Sequence, residues 1–221
     1  MTGNERFLRP AKHIRIKREP QRGRYDRETI DLILDEALLC HLGFEIDGQP
    51  YVIPTLHARV GDKLYVHGSA ASRMLRHLAG GVRVCVTVTL FDGLVLAHSV
   101  FNHSVNYRSV VLLGTATLVE GDEKRAALHA LTEQLAPGRW EEARQPTAKE
   151  LKATWILALP IEEASAKVRS GPPEDDPEDE HLPVWAGVVP VHLTAESSDY
   201  HWRRVHEGSV VGPKPPTTIE S

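Results

Sequence analysis

The stretch Tyr65-Val66-His67-Gly68-Ser69-Ala70-Ala71-Ser72-Arg73-Met74-Leu75 joins a strand pattern directly to the start of a helix. Its first part is rich in β-favouring residues and ends in small or hydroxyl-bearing ones. Its second part opens a short helix and places Arg73 in the first turn. A cation is unfavourable there because of the helix macrodipole, so its presence indicates a bound anion. Ser72 and Arg73 are therefore candidate phosphate ligands, Arg73 through two parallel hydrogen bonds.

An ordinary helix cap followed by a solvated cation would give the same two residues, so the flanking sequence has to decide between the two interpretations. Two hairpin signals, Asp47-Gly48 and Gly61-Asp62, precede the stretch, and each lies between β-rich runs. The candidate strands are residues 42–46, 51–56, 63–66, 82–90, 94–99 and 108–119. Short strands in close succession predict a small antiparallel barrel.

Helical patterns flank these strands. A helix is predicted from Asp26 to about Glu36, with an apolar side that would cover one end of the barrel. A second is predicted over residues 123–135, ended by Pro137-Gly138, and a capping-box pattern at residues 147–150 opens a third. Residues 155–159 then return to the barrel as a strand.

Residues 26–118 resemble the FMN-binding split-barrel superfamily, the pyridoxamine 5'-phosphate oxidase-like proteins. The resemblance is carried by Val52-Ile53-Pro54-Thr55, by residues 64–69, by Ser72-Arg73, and by Tyr107-Arg108-Ser109-Val110 with Gly114 after it. Within that superfamily the chain is most similar to the branch of flavin-nucleotide-binding and nitroimidazole-resistance-type proteins. Residues 166–173 and 183–190 also resemble that branch, so the similarity reaches about residue 193.

The resemblance implies a mainly β fold with flanking helices, built as a six-stranded antiparallel split β-barrel. It also implies a homodimer that holds FMN in clefts between the subunits. Carried over by position, the residues expected at the FMN are Ile53, Pro54 and Thr55 along the isoalloxazine edge, His67 and Gly68 near the ribityl chain, and Ser72 and Arg73 at the phosphate. Ser69, next to Gly68, is also expected to bind the cofactor.

Three further residues complete the site that the resemblance implies. Ser109 stands where the oxidases carry a glutamine, so its shorter hydroxyl, or a water, would have to reach the flavin. Lys167 and Trp185 are expected to reach the flavin of the partner subunit, Trp185 by stacking beside the ring. A core aromatic is the alternative interpretation of Trp185.

The oxidases grip their substrate with an arginine-rich segment and a C-terminal Arg-x-His, and neither is found at residues 137–144 or 200–204. Vitamin B6 oxidation is therefore not predicted. The expected activity is an oxidoreductase that reduces a small planar or nitro-bearing compound with electrons from NADH or NADPH. Two alternatives stay open: a flavin-binding carrier or sensor without turnover, and a heme-binding split barrel with His67 as the axial ligand.

Composition predicts one globular domain over residues 26–205, between a basic N-terminal arm at 1–25 and a disordered tail at 206–221. The net charge of -4 makes nucleic acid an unlikely partner, although the arm leaves that role open beside one of packing across a partner subunit. No apolar run of about 18 residues and no secretory pattern is found, so a cytoplasmic protein is expected. The acidic residues 174–180 are expected to form a solvated loop.

Neither the cysteines nor the histidines predict a metal site. Cys40 and Cys85 lie in apolar surroundings and are expected to be buried free thiols. The twelve histidines lack the tight ligand spacing of a metal centre.

Overall fold

The computed structural model describes residues 12–194, which form one antiparallel sheet with helices around it. The strands of this part are β1 Gly23–Arg24, β2 Leu39–Ile46, β3 Gln49–Val60, β4 Lys63–Ser69, β5 Arg83–Leu96, β6 Ser104–Thr115, β7 Thr117–Leu118, β8 Thr154–Pro160, β9 Glu163–Arg169 and β10 Gly187–Pro190. The helices are α1 Arg27–Glu36, α2 Arg73–Leu78, α3 Gly121–Leu135, α4 Arg139–Glu142 and α5 Ala148–Ala153, with 3-10 turns at Pro20–Arg22 and Val100–Asn102.

The strand order is β1-β9-β6-β5-β2-β3-β4-β8-β7, and β10 pairs with the far end of β5. This confirms the predicted mainly β fold with flanking helices. The hydrogen-bonded order of the described residues has two ends and ten strands, so the predicted count of six strands is not confirmed. Along the chain, only Ala116 separates β6 from β7, the strand at one end of this order.

Both predicted hairpins form. Asp47 and Gly48 have φ angles of 51° and 79°, and they join β2 to β3 with Ile46 opposite Gln49. A two-residue turn with two positive φ angles matches the twist of the strands it connects, which explains the Asp-Gly pair. Gly61, with φ 58°, and Asp62 make the corresponding turn from β3 to β4.

The two strands predicted over residues 82–90 and 94–99 form a single strand, β5. Its pairing with β6 shifts register between Phe91 and Gly93, so Asp92 is the extra residue of a β-bulge. The pair Asp92-Gly93 is typical of a turn, but here it forms the bulge within a continuous strand. Gly93 is required there because a Cβ would lie 2.9 Å from the carbonyl oxygen of Val189 on β10.

The core fills the inside of the curved sheet. Alternate side chains of β5, namely Val84, Val86 and Val88, are buried against the inward residues of the other strands. The fully buried Leu75 and Leu78 of α2 and the apolar side of α1 pack into the same core. Burial of each such side chain contributes about 1.5–3 kcal/mol, so these helices are integral to the fold.

A second, smaller apolar cluster lies on the outer side of the sheet, under α3. There Ala127 and Leu131 of α3 cover Tyr65 of β4 and Ile156 and Ala158 of β8. The outer side of β4, of β8 and of β3 at Ala58 is therefore buried under α3.

The described part of the predicted basic arm packs on the chain's own sheet. Gly23 and Arg24 pair with β9, Ile14 is buried, and the Tyr25 hydroxyl accepts a hydrogen bond from the Ile16 amide at 2.9 Å. Residues 1–11 and the predicted tail 206–221 lie outside the described residues, so the predicted domain boundaries stay predictions.

The prediction of a solvated acidic loop at 174–180 is wrong at Asp175. Its carboxylate accepts hydrogen bonds from the amides of His98 at 2.9 Å and Ser99 at 3.2 Å, and it contacts His98 Nδ1 at 2.9 Å. These bonds, the His98 amide foremost, lower the pKa of Asp175 to about 2. Asp175 therefore fastens the loop to the turn between β5 and β6.

Candidate functional site

Strand alternation sends the sequence-predicted residues to two opposite faces of the sheet. Ile53 packs against the core, so Thr55 lies on the inner face with it and Pro54 points outward. Gly68 also lies inward, where a Cβ would be 3.0 Å from Leu75 Cδ1. The structure therefore does not bring Ile53, Thr55 and Gly68 to the outer face.

The remaining strand residues share the outer face, because their chain neighbours point into the core. These residues are Pro54, His67, Ser69, Ser109 and Lys167. Two rows of cross-strand partners run over this face. The first row consists of Lys167, Ser109 and Thr89. The second row consists of Thr87, His41 and Pro54.

We call Pro54, His41, Thr87, Thr89, Ser109 and Lys167 the outer band. It offers hydroxyl, imidazole and ammonium groups along a flat strip of partly exposed sheet. Ser109 Oγ donates to the carbonyl oxygen of Lys167 at 3.3 Å, which fixes the two residues together. Such a strip can hold a planar ligand and hydrogen-bond its polar edge.

At the start of α2, Ser72 caps the helix and its Oγ accepts a 3.4 Å hydrogen bond from the Leu75 amide. The guanidinium of Arg73 lies over the ring of Tyr51, which itself stacks on Phe44 with 5.5 Å between the ring centroids. Within the described part of the chain Arg73 makes no hydrogen bond or ion pair, so its donors are available to an anion. The neighbouring Arg76 differs, since its Nε donates to the carbonyl oxygen of Ala70 at 2.8 Å.

The loop between β4 and α2 is held in place by its own backbone. Ser69 accepts from the amides of Ala71, through Oγ at 3.1 Å, and Ser72, through its carbonyl oxygen at 2.9 Å. The Ala70 amide donates to the carbonyl oxygen of Ala153 at 2.8 Å. Both serine oxygens thus act as acceptors within the chain, and each O–H is left to donate to a ligand. Ser69, Ser72 and Arg73 together form a donor set suited to a phosphate.

His67 is the most unusual histidine of the outer face. Its Nδ1 is enclosed and has no hydrogen-bond partner among the described residues. Burial lowers the pKa of His67, which favours the neutral imidazole at pH 7. Enclosed polar atoms without a partner are rare in folded proteins, and they indicate a ligand, water or ion.

Arg108, next to Ser109 in the sequence, has a structural role. Its guanidinium binds the carboxylates of Glu36 and Asp92, and these bonds, that of Glu36 foremost, raise its pKa above the ordinary value. It thereby ties the end of α1 to the bulge of β5 and is not free to bind a ligand.

Trp185 lies far from the other sequence-predicted residues within the chain. Its exposed ring covers Gly187, where a Cβ would be 2.6 Å from the indole. Gly187 pairs with Leu96, about nine residues along β5 from Thr87, which corresponds to about 30 Å. Trp185 therefore lies away from the outer band of its own chain.

Two features of this region have no signal in the sequence pattern. One is Tyr51 beneath Arg73, which follows from the way β3 and α2 pack. The other is a cavity of about 270 Å³ lined by residues of α3, α4 and α5. Its lining comes from three separate segments, and no local pattern indicates that they meet.

In residues 12–194 no group of three or more histidine, cysteine or acidic residues is placed to hold a metal ion. No helix among them is both long enough and apolar enough to cross a membrane.

Comparison with known proteins gives matches of fold and of sequence. Residues 26–168 match the family model described as pyridoxamine 5'-phosphate oxidase. The structure of the flavocytochrome Anf3 from Azotobacter vinelandii is 40% identical, with a TM-score of 0.81 over 95% of each chain. The FAD and heme binding protein from Mycobacterium smegmatis is also 40% identical, with a TM-score of 0.74 over 87% of this chain and 94% of that one.

A candidate 5-nitroimidazole antibiotic resistance protein from Bacteroides thetaiotaomicron shares the fold at 23% identity. Its TM-score is 0.56 over 66% of this chain and 86% of that one. No curated protein matches the sequence.

Proposed function

This chain belongs to the pyridoxamine 5'-phosphate oxidase-like family, and we propose that it binds a flavin nucleotide at Ser69, Ser72, Arg73 and the outer band. The observation that carries the proposal is Arg73, a guanidinium without a carboxylate partner in the described chain, which directly follows Ser72 and stands four residues after Ser69. A dianionic phosphate would satisfy all three groups.

The isoalloxazine ring would lie along the outer band, with Pro54 at its edge and Ser109 and Lys167 at its polar end. His67 would lie beside the ribityl chain. FMN is the form that the sequence predicts, and the name of the FAD and heme binding protein supports a flavin more broadly. Ile53, Thr55 and Gly68 would act by shaping the inner side of the strands that carry the outward residues.

A second copy of the chain would complete the cleft. Pro54 and Val52 are exposed on the outer face, and the exposed fraction of Val52 is 68%. We propose a homodimer in which this face is covered and in which Trp185 approaches the flavin of the partner. β6 and β7 would then act as one bent strand that closes a barrel with β8, because Gly114 of β6 lies against Leu159 of β8.

The reaction we propose is reduction of a small planar acceptor with electrons from NADH or NADPH, for which the flavin supplies the redox chemistry. The chain itself would bind and orient. Lys167 would place positive charge beside the polar edge of the ring, and the hydroxyls of Thr89 and Ser109 would hold that edge. A flavin carrier or sensor without turnover uses the same contacts, with no room for an acceptor over the ring.

Heme binding is the second candidate, and His67 favours it. A neutral imidazole with an enclosed, unpartnered nitrogen is the form that ligates iron. Both 40% identical structures carry heme in their names, as flavocytochrome and as FAD and heme binding protein. A heme on His67 would take the place proposed for the ribityl chain, because His67 and the phosphate donor Ser69 lie two residues apart on the same face of β4.

The absorption spectrum of the purified protein, followed by flavin titration of the stripped protein, tests these proposals. Bands at about 370 and about 450 nm with about one flavin per chain support flavin binding. Bleaching of the 450 nm band by NADH or NADPH under anaerobic conditions supports the oxidoreductase, and a bound flavin that no donor reduces favours the carrier. A Soret band that His67→Ala abolishes supports heme ligation. Protein that binds no flavin would overturn the principal proposal.

A further inference from the structure

Arg169, the last residue of β9, is a buried cation that has no carboxylate partner among residues 12–194. Its exposed fraction is only 7%. Arg27, the other buried arginine of this part of the chain, has the usual arrangement, because it pairs with the carboxylates of Asp31 and Asp62. Removing a charge from water is unfavourable unless an opposite charge or hydrogen bonds compensate for it. Arg169 lacks the counter-charge that Arg27 has.

The acidic residues 174–180 do not supply that counter-charge. This segment begins only five residues after Arg169, and yet no ion pair of the described chain joins one of its carboxylates to Arg169. Asp175 pairs with His98 instead, at 2.9 Å from Nδ1. A buried guanidinium that leaves nearby carboxylates unused indicates a site for an anion from outside the chain.

Asn106 holds one end of the Arg169 guanidinium. Arg169 Nη1 donates to Asn106 Oδ1, and Asn106 Nδ2 donates to the carbonyl oxygen of Gly171 at 3.1 Å. Asn106 is itself buried, so its amide is fixed at both ends. The guanidinium is thereby held in one position before a ligand arrives, which reduces the side-chain entropy lost on binding.

Two nitrogens of the guanidinium remain to donate. Nε and Nη2 of Arg169 make no hydrogen bond within the described residues. The enclosed nitrogens without a partner in this part of the chain belong to Arg27, His57 and His67, and none belongs to Arg169. Nε and Nη2 therefore reach the surface, through an opening that is narrow because so little of the side chain is exposed. A small anionic group can approach them.

The chemistry of these donors matches a carboxylate. A guanidinium presents its N–H groups as a planar fork, which pairs with the two oxygens of a carboxylate through parallel hydrogen bonds. Both partners carry one unit of charge, so the pair is neutral. A phosphate monoester carries a charge of about −1.5 to −2 at pH 7, and it would bring uncompensated charge into a largely buried place.

We infer that Arg169, held by Asn106, binds the carboxylate group of a small organic acid. The site is separate from the proposed phosphate donors, because four strands lie between β9 and β4, the strand that leads to Ser72 and Arg73. It is near the end of the outer band, since Arg169 follows Lys167 on β9 by two residues, or about 7 Å. The inference goes beyond the proposed function and does not depend on it.

The test is calorimetric titration of the full-length protein with sodium benzoate at constant ionic strength, and separately with inorganic phosphate and with sodium chloride. We expect saturable binding of benzoate, with phosphate at least about tenfold weaker. Benzoate should also shift the NMR signal of the Asn106 side-chain amide, and chloride at the same concentration should leave that signal unchanged.

Two substitutions at the site should each weaken benzoate binding. Arg169→Gln removes hydrogen bonds to a charged group, which corresponds to about 10- to 150-fold in Kd. Asn106→Asp places a carboxylate of the chain against Arg169 and should weaken benzoate at least about tenfold. It carries the test if Arg169→Gln lowers the melting temperature. Arg125→Gln on α3, exposed and remote, is the matched loss of charge and should leave the Kd unchanged.

Several outcomes would overturn the inference. One is a parent protein that does not bind benzoate, or that binds phosphate more tightly. Another is benzoate affinity that Arg169→Gln and Asn106→Asp both leave intact. A third is a loss of flavin affinity in Arg169→Gln as large as in Arg73→Ala, because the donors of Arg169 would then serve the flavin. A protein that binds benzoate but no flavin would support the inference and overturn only the proposed function.

Discussion

The guanidinium of Arg73 lies over the aromatic ring of Tyr51, with 4.9 Å between Cζ and the ring centroid. This contact holds an exposed cation in one place without using its hydrogen-bond donors, because the attraction is to the face of the ring. Arg73 is therefore positioned in advance for an anion, which reduces the side-chain entropy lost on binding.

Removal of the Arg73 guanidinium should weaken flavin binding. We expect Arg73→Ala to reduce the free energy of binding by about 1.5–3 kcal/mol, the contribution of one charged hydrogen-bonding partner. Titration of the stripped protein measures it, with Arg125→Ala on α3, exposed and remote from the loop, as the matched loss of charge. Equal affinity of Arg73→Ala and the parent protein would remove Arg73 from the phosphate site.

Tyr51 should influence flavin affinity although it touches no proposed ligand atom. Tyr51→Leu removes the aromatic face under Arg73 and should weaken flavin binding by about 0.5–1 kcal/mol, the strength of an exposed cation–π contact. Tyr51→Phe keeps the face and should bind as the parent protein does. If the phenylalanine and leucine variants bind alike, the ring does not position Arg73.

Asp175 should release its loop only in strong acid. Its pKa falls from 3.8 to about 2 because the His98 amide, first of all, donates to the charged carboxylate. A lowered pKa means that the docking is complete above about pH 4 and is lost as the pH falls toward about 2. The NMR shifts of the His98 and Ser99 amides should follow this titration.

The matched pair for that experiment is Asp175→Asn and Asp176→Asn. Asp176 is exposed and carries the same charge, so its substitution should leave the amide shifts of His98 and Ser99 unchanged. Asp175→Asn should shift both amides at neutral pH and abolish their titration. Titration that persists in Asp175→Asn would mean that another group docks the loop.

Contact between β6 and β8 can be measured by a double-mutant cycle. A Cβ on Gly114 would lie 2.9 Å from Leu159 Cδ1, so Gly114→Ala should destabilise the parent protein by about 1–3 kcal/mol through overpacking. In a Leu159→Ala background the same change should cost less, with a coupling of about 0.5–3 kcal/mol from urea unfolding. Additive effects would argue against the barrel closure that we propose.

Local chemistry made much of this fold predictable. Asp47-Gly48 forms its turn, Asp26 caps α1 through the Thr29 amide, and Thr147 with Glu150 forms the capping box of α5. Each of these signals acts within four residues, so the sequence pattern contains all that is needed. The loop after β4 was predictable for the same reason.

Features that depend on distant partners were not predictable. The faces of Ile53 and Pro54 depend on how β3 registers against β2, and the contact of Arg73 with Tyr51 depends on how α2 packs at the end of the barrel. The bulge at Asp92 exists because β10 approaches at Gly93, about a hundred residues further along the chain. Such arrangements are fixed by tertiary packing, which overrides local pattern.

The bulge at Asp92 makes β5 intolerant of a change in length by a single residue. Before it the even-numbered residues Val84, Val86 and Val88 face the core, and after it the odd-numbered Val95 is the fully buried one. Deletion of a single residue here would turn Val95 to the outside and shift the residues of β5 that pair with β10. Related chains can therefore change the chemistry of this strand freely at exposed positions, but an insertion or deletion within it would have to come in pairs.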